Sequence, residues 1–155
     1  MITLGIDPGS TRIGFGVVEH QRSGARCLAY GTIENSGNDR ALALQHTAQE
    51  LLKVLAKHKP SVAVVERLFF TKNQKTAMAV AEARGVILLT LADSGIPVQE
   101  LTPLQVKQAI ARYGQADKKQ MQRMVQMILG LKETIKPDDA ADALALALCA
   151  DIHTK

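Results

Sequence analysis

The chain has 155 residues, 46% of them apolar, with 19 Lys and Arg against 15 Asp and Glu. That length suffices for one domain that buries roughly two-thirds of its unfolded surface without disulfides, and 11 Gly with 5 Pro exclude collagen-like and low-complexity readings. Cys27, Cys149 and the 4 His show no paired metal-ligand spacing, and neither a basic start with an apolar run nor a membrane-length apolar stretch is visible, so no structural zinc site, signal peptide or membrane span is expected, and a reduced cytoplasmic setting is.

Apolar runs over residues 2–6, 13–18 and 27–33, separated by Gly, Pro, Ser and Arg, predict three strands, and their short links predict antiparallel hairpins. The period then changes. Leu44, Ala48, Leu51, Leu52 and Leu55 fall on one helical face, stopped by Lys57, His58 and Pro60. A Val-rich run over 61–65 ending in Glu66, a helix over about 74–93 and a strand over 98–101 make a β-α-β pattern, which implies parallel strands. Beyond Pro103 the chain reads as helical, with Met121, Met124, Val125 and Ile128 on the inner face of one helix that Gly130 closes. Residues 143–148 alternate Ala and Leu as a strand would, yet both are strong helix formers, and Pro137 followed by two Asp makes a helix start. Apolar residues surround this last helix, so it is expected to be buried. Residues 1–155 thus read as one α/β domain: a five-stranded mixed sheet, three antiparallel strands plus two parallel ones, flanked by helices.

Three placements of carboxylates ask for a reason. Asp7 ends an apolar strand in Gly5-Ile6-Asp7-Pro8-Gly9, where Asp-Pro-Gly is also ordinary turn chemistry. Glu66 follows a strand apolar enough to be central, at the carboxyl end where α/β folds place their ligands. Asp139 and Asp142 are one turn apart on one face of the last helix. The helix dipole accounts for Asp138 and Asp139, but not for Asp142 inside an Ala/Leu helix, where an unpaired charge is costly. If the strand carrying Glu66 lies beside the first strand, Asp7 and Glu66 emerge side by side and the last helix adds two more carboxylates. Such a cluster repels itself unless divalent cations sit within it, and oxygen-only ligands select magnesium or manganese. Two carboxylate-bridged metals suit in-line hydrolysis of a phosphodiester. Residues 105–136 carry seven positive and two negative side chains, a local net of +5 against −1 for the remainder, which fits either a solvated helical face or phosphate contacts.

Gly5-Ile6-Asp7-Pro8-Gly9-Ser10 with Gly14-Phe15-Gly16, then Val65-Glu66, Phe69, Asn73, Ala83-Arg84-Gly85, Pro103, Val106-Lys107, Ala116-Asp117-Lys118 and Asp139-Ala140-Ala141-Asp142-Ala143-Leu144-Ala145 resemble, in order and over nearly the whole chain, the RuvC family of Holliday-junction resolvases. The resemblance implies a ribonuclease H-like fold and a homodimer that resolves four-way DNA junctions by paired incisions in recombinational repair. It implies two Mg2+ per active site, with Mn2+ able to substitute, and a branch-migration motor of the RuvA and RuvB type as partner. The family's catalytic, metal-binding carboxylates map onto Asp7, Glu66, Asp139 and Asp142, leaving Asp138 outside the pattern as a helix-start charge. Phe69 maps to the junction centre, where an aromatic stacks on a base, although Phe69 and Phe70 capping the core is the plainer reading of the residues alone. Lys107 and Lys118 match basic positions near the scissile phosphate, and Lys119, Arg123 and Arg112 extend the expected DNA surface. Ala77, Ala81 and Gly85 recur every four residues as a small-residue ridge on the helix that the family uses for dimerisation. One departure is visible: Ala111-Arg112-Tyr113-Gly114 stands where the family usually has a second glycine, at Arg112.

Three other readings remain at this point. A sugar-kinase or actin-like ATPase shares the Gly-x-Asp-x-Gly-Ser turn but needs two such domains. Another ribonuclease H-like nuclease, acting on RNA or flap DNA, shares the carboxylates. A non-catalytic junction-binding protein has no use for all four of them.

Overall fold

The computed structural model describes residues 1–67 and 74–150; Phe69, Phe70 and Asn73 lie outside them. Strand β1 (Ile2–Asp7) pairs antiparallel with β2 (Arg12–Gln21), which pairs antiparallel with β3 (Gly24–Glu34). Helix α1 (Arg40–His58) leads to β4 (Val62–Glu66), and α2 (Gln74–Asp93) to β5 (Val98–Leu101). Then come α3 (Pro103–Ala111), α4 (Lys118–Ile128) and α5 (Asp138–Leu148). The strands form one sheet in the order β3-β2-β1-β4-β5, with β1/β4 and β4/β5 parallel. This is the mixed ribonuclease H-like sheet that the sequence implies. The three antiparallel strands run longer than their apolar cores because hairpin pairing continues into the polar ends, as far as Gln21 opposite Gly24.

Strand alternation divides the core in two. Leu4, Ile6, Ala63 and Val65 point to α1 and α2, where Leu51, Leu55, Ala83, Ile87 and Leu91 cover them. Val64 and Val18 point the other way and pack with α3, α4 and α5. On that second face β1 and β2 present glycine at three positions beneath α5. A Cβ on Gly5 would lie 1.9 Å from Ala143 O, one on Gly14 2.0 Å from Asp139 O, and one on Gly16 2.7 Å from the Leu144 nitrogen. Three glycines therefore let the α5 backbone lie directly on β1 and β2, which buries Ala140, Ala141 and every residue from 143 to 147. Thr3 and His20 fasten its far end: Thr3 Oγ1 donates to Ala147 O at 2.9 Å, and His20 Nε2 stands 3.1 Å from both oxygens.

Two expected helix faces differ in detail. On α1, Leu52 is 49% exposed, because the buried stripe follows Thr47, Leu51 and Leu55 at i, i+4 spacing. Thr47 is tolerated inside because it donates to Ala43 O at 3.0 Å and accepts from Asn35 Nδ2 at 2.8 Å. On α4, Met121 and Val125 are buried as expected, but Ile128 is exposed and Leu129, four residues beyond Val125, takes its place. Arg112 caps α3 in the left-handed region at φ 61°, where a glycine is free of strain, so the backbone favours the glycine and does not account for the arginine. In urea denaturation, Gly5→Ala is expected to lose about 3 kcal/mol by forcing α5 off the sheet, whereas Arg112→Gly gains about 1 kcal/mol. A Gly5→Ala midpoint at or above that of the wild type, or an Arg112→Gly midpoint below it, contradicts the packing described.

Candidate active site

Ile6 is in register with Val65 across the parallel β1/β4 pair, so Asp7 and Glu66 leave the sheet as neighbours. Period-two alternation places Asp7 on the same face as Gly5, and Glu66 on the same face as Val64, which is the α5 side. Asp139 and Asp142 occupy the first turns of α5 directly above. The other three predicted carboxylates are thus within electrostatic reach of Asp7.

Like charges so close redistribute protons and recruit cations. Burial first, then the charges of Glu66, Asp142 and Asp139, push the Asp7 carboxyl up to about 8, and it shares a hydrogen bond with Glu66. Burial and Asp142 raise Glu66 as well. Burial also raises Asp142, against the pull of Lys118. The α5 carboxylates each face a cation: Arg12 Nη1 lies 3.7 Å from Asp139 Oδ2, and Lys118 Nζ 3.6 Å from Asp142 Oδ2. In this arrangement no three acidic, His or Cys side chains among the described residues are placed to hold a metal ion together. Four oxygen donors that suppress their own ionisation are the donor set a hard divalent cation fits, and Asp7, Glu66, Asp139 and Asp142 could hold one by exchanging the proton and the two cations for it.

A cleft of about 220 Å³ opens beside the cluster, lined in part by Glu66, Asp142, Lys107 and Lys118. Lys118 stands there because Asp117 caps α4, accepting from Gln120 N while Gln120 Oε1 accepts from Asp117 N, so Lys118 is the first helical residue. Lys119, Arg123 and Arg112 are exposed and do not line the cleft. Ala77 and Ala81 are half-buried on α2, while Gly85 is exposed with nothing within 4 Å of a would-be Cβ. That ridge faces away from its own sheet, beside Met78 at 71% and Leu89 at 62% exposure. Phe69 falls outside the described residues.

Two arginines to which the sequence reading gave no role also contribute, although Arg84 stands in the Ala83-Arg84-Gly85 stretch of the resemblance. Arg84, only 19% exposed, donates from Nε to Glu66 O at 3.4 Å and pairs with Glu100, which Arg67 also approaches at 3.7 Å. Arg12 bridges Asp139 and Glu34. No spacing rule points to either arginine. The glycines did leave a signal, since Gly5, Gly14 and Gly16 alternate at the strand period.

The sheet order, the helix laid across its centre and the acidic cluster at the strand ends define a ribonuclease H-like protein. The family model described as "Crossover junction endodeoxyribonuclease RuvC" matches residues 3–150. A protein of that description from Syntrophomonas wolfei is 49% identical over 150 residues, covering 96% of this chain and 87% of its own length. The Thermus thermophilus RuvC structure superposes with a TM-score of 0.89 at 38% identity, covering 96% and 92% of the two chains. T. thermophilus RuvC in complex with a Holliday junction substrate gives 0.87 at 36%, covering 96% and 91%. This chain belongs to the RuvC family.

The raised Asp7 carboxyl makes a prediction for the protein without divalent ions. Its folded state keeps a proton that the unfolded chain releases near 3.8, so the associated stability is full below that value and is lost as pH rises toward about 8. Thermal melts in chelator are expected to fall across this window in the wild type and to flatten in Asp7→Asn. Parallel profiles contradict the shift.

Proposed function

We propose that this chain is a metal-dependent crossover junction endodeoxyribonuclease that resolves four-way DNA junctions, residues 1–155 acting as one nuclease domain in the cytoplasm. The observation that carries the reading is the gathering of Asp7, Glu66, Asp139 and Asp142 at one end of the sheet in a chain matched to the RuvC family over residues 3–150. The four carboxylates hold two Mg2+, for which Mn2+ can substitute. Bound there, such ions supply Lewis-acid stabilisation of the attacking and leaving oxygens of a phosphodiester.

The chain's own residues do the rest. Asp7 and Glu66 are fixed by strand pairing, and Arg84 restrains the Glu66 backbone. Lys107 and Lys118 flank the cleft and receive the scissile phosphate; Arg112, Lys119 and Arg123 meet the backbone further out. Phe69 stacks on a base at the junction centre. Two copies meet through the ridge of Ala77, Ala81 and Gly85, where the open space over Gly85 admits a partner helix, so the dimer presents two sites to opposed strands. A motor of the RuvA and RuvB type is its partner in branch migration. Action on RNA or flaps, ATP hydrolysis or binding without cleavage has no observation in its favour here.

Separation of chemistry from binding tests this. With Mg2+ and a synthetic four-way junction, Asp7→Asn, Glu66→Gln and Asp142→Asn are expected to abolish cleavage while band-shift affinity is unchanged or tighter. A variant that cuts normally, or loses binding in proportion to cleavage, contradicts the assignment. Phe69→Ala is expected to remove about 1 to 3 kcal/mol from distorted junction states without lowering the melting temperature; a large drop in melting temperature supports core packing instead. Lys107→Ala is expected to weaken catalysis, and Arg123→Ala to flatten the salt dependence of binding by about one unit. Ala81→Leu is expected to give monomers in light scattering that nick cruciform plasmid without linearising it.

A further inference from the structure

Asp138 begins as the carboxylate with the least to explain, an exposed charge at a helix start. Both of its oxygens are nevertheless in use. Oδ1 accepts from Gln122 Nε2 at 2.8 Å, and Oδ2 lies 3.3 Å from Lys118 Nζ. Gln122 and Lys118 are one turn apart on α4, so a single side chain joins the first turns of α4 and α5. Asp138 and Asp142 are likewise one turn apart on α5, and the Lys118 ammonium stands between them, 3.6 Å from Asp142 Oδ2.

That bracketing matters because Asp142 has two competing uses. An ammonium held on Asp142 opposes a divalent cation at the same oxygen, and the metal's apparent affinity falls by the fraction of time the lysine is there. A second carboxylate outside the cluster gives the ammonium somewhere else to stay. Arg12 repeats the pattern on the other side: it faces Asp139 at 3.7 Å and has Glu34 at 3.3 Å as its outer partner. Each α5 carboxylate of the cluster therefore faces a cation that owns an alternative anion. Exposed ion pairs are individually weak, but here the weak pair decides which of two carboxylates remains occupied.

We propose that Asp138 is a positioning residue for the metal-dependent reaction: it draws Lys118 off Asp142, freeing Asp142 for a divalent cation while keeping the ammonium at the mouth of the cleft. The inference rests on the reading of Asp7, Glu66, Asp139 and Asp142 as metal-holding residues. Glu34 serves Arg12 in the same sense, releasing Asp139.

Mn2+ affinity of the full-length, DNA-free protein, followed through the electron paramagnetic resonance signal of free Mn2+, tests this directly. Asp138→Asn is expected to weaken Mn2+ binding about three- to fivefold, and Asp138→Glu to restore most of it. Lys118→Met is expected to tighten binding, and the Asp138→Asn effect is expected to vanish in the Lys118→Met background. A simple loss of one nearby negative charge behaves differently, weakening binding by the same factor in both backgrounds. That result, or an unchanged affinity in Asp138→Asn, overturns the proposal while leaving the metal site standing. Absence of Mn2+ binding in the wild type, or an Asp142→Asn variant that binds as well as wild type, overturns the metal reading and this inference with it. Circular dichroism melts within a few degrees of wild type are expected for all variants, since the altered pairs are exposed.

Discussion

Helix α5 rests on the sheet with no side-chain layer between them, because Gly5, Gly14 and Gly16 present only backbone where any other residue would collide with Ala143, Asp139 or Leu144. Ordinary helix-on-sheet packing would hold Asp139 and Asp142 a side chain's height above the strand ends. Contact at backbone distance brings them into the same electrostatic neighbourhood as Asp7 and Glu66. The Ala-rich composition of α5 is the complementary half of this contact, since small residues on the helix and none on the strands permit the closest approach. Thr3 and His20 hold the other end of the helix at Ala147, so its axis is fixed at both ends.

Collecting four carboxylates has an electrostatic consequence that the rest of the site answers. Asp7 and Glu66 share a hydrogen bond and keep a proton, while Asp139 and Asp142 turn to Arg12 and Lys118. The outer anions Glu34 and Asp138 then complete two chains of alternating charge that run from the cluster to solvent. On the proposed reading, a divalent ion would enter by rearranging these pairs, without a change of fold.

Much of this could be read from residue order. Alternation and turn residues reported β1 to β3, the β-α-β pattern reported the parallel strands, and the ends of α2 and β5 fell where periodicity put them. The pairing of Asp7 with Glu66 needed the Glu66 strand to lie beside the first, which the sheet order supplies, and Asp142 was conspicuous because a charge in an apolar helix needs a partner. Less legible were features set by three-dimensional neighbours. Leu52 and Ile128 look like core residues until the direction of the buried stripe is known. Arg84 reaches Glu66 O from an element 18 residues away. Asp138 has a sufficient local explanation in the helix dipole, which hides its contact with Lys118. Arg112 shows the converse: it was conspicuous in sequence, and the left-handed cap it occupies favours glycine rather than arginine.

The central claim is that Arg12, Lys118 and one proton hold the places that divalent ions take in this cluster. A crystal structure of the protein soaked in Mn2+, with the ions located by anomalous scattering, tests it most directly. The account predicts anomalous peaks among Asp7, Glu66, Asp139 and Asp142, with Lys118 moved to Asp138 and Arg12 to Glu34. Density showing Asp139 and Asp142 still paired with Arg12 and Lys118, with no anomalous peak between them and Asp7, would contradict it.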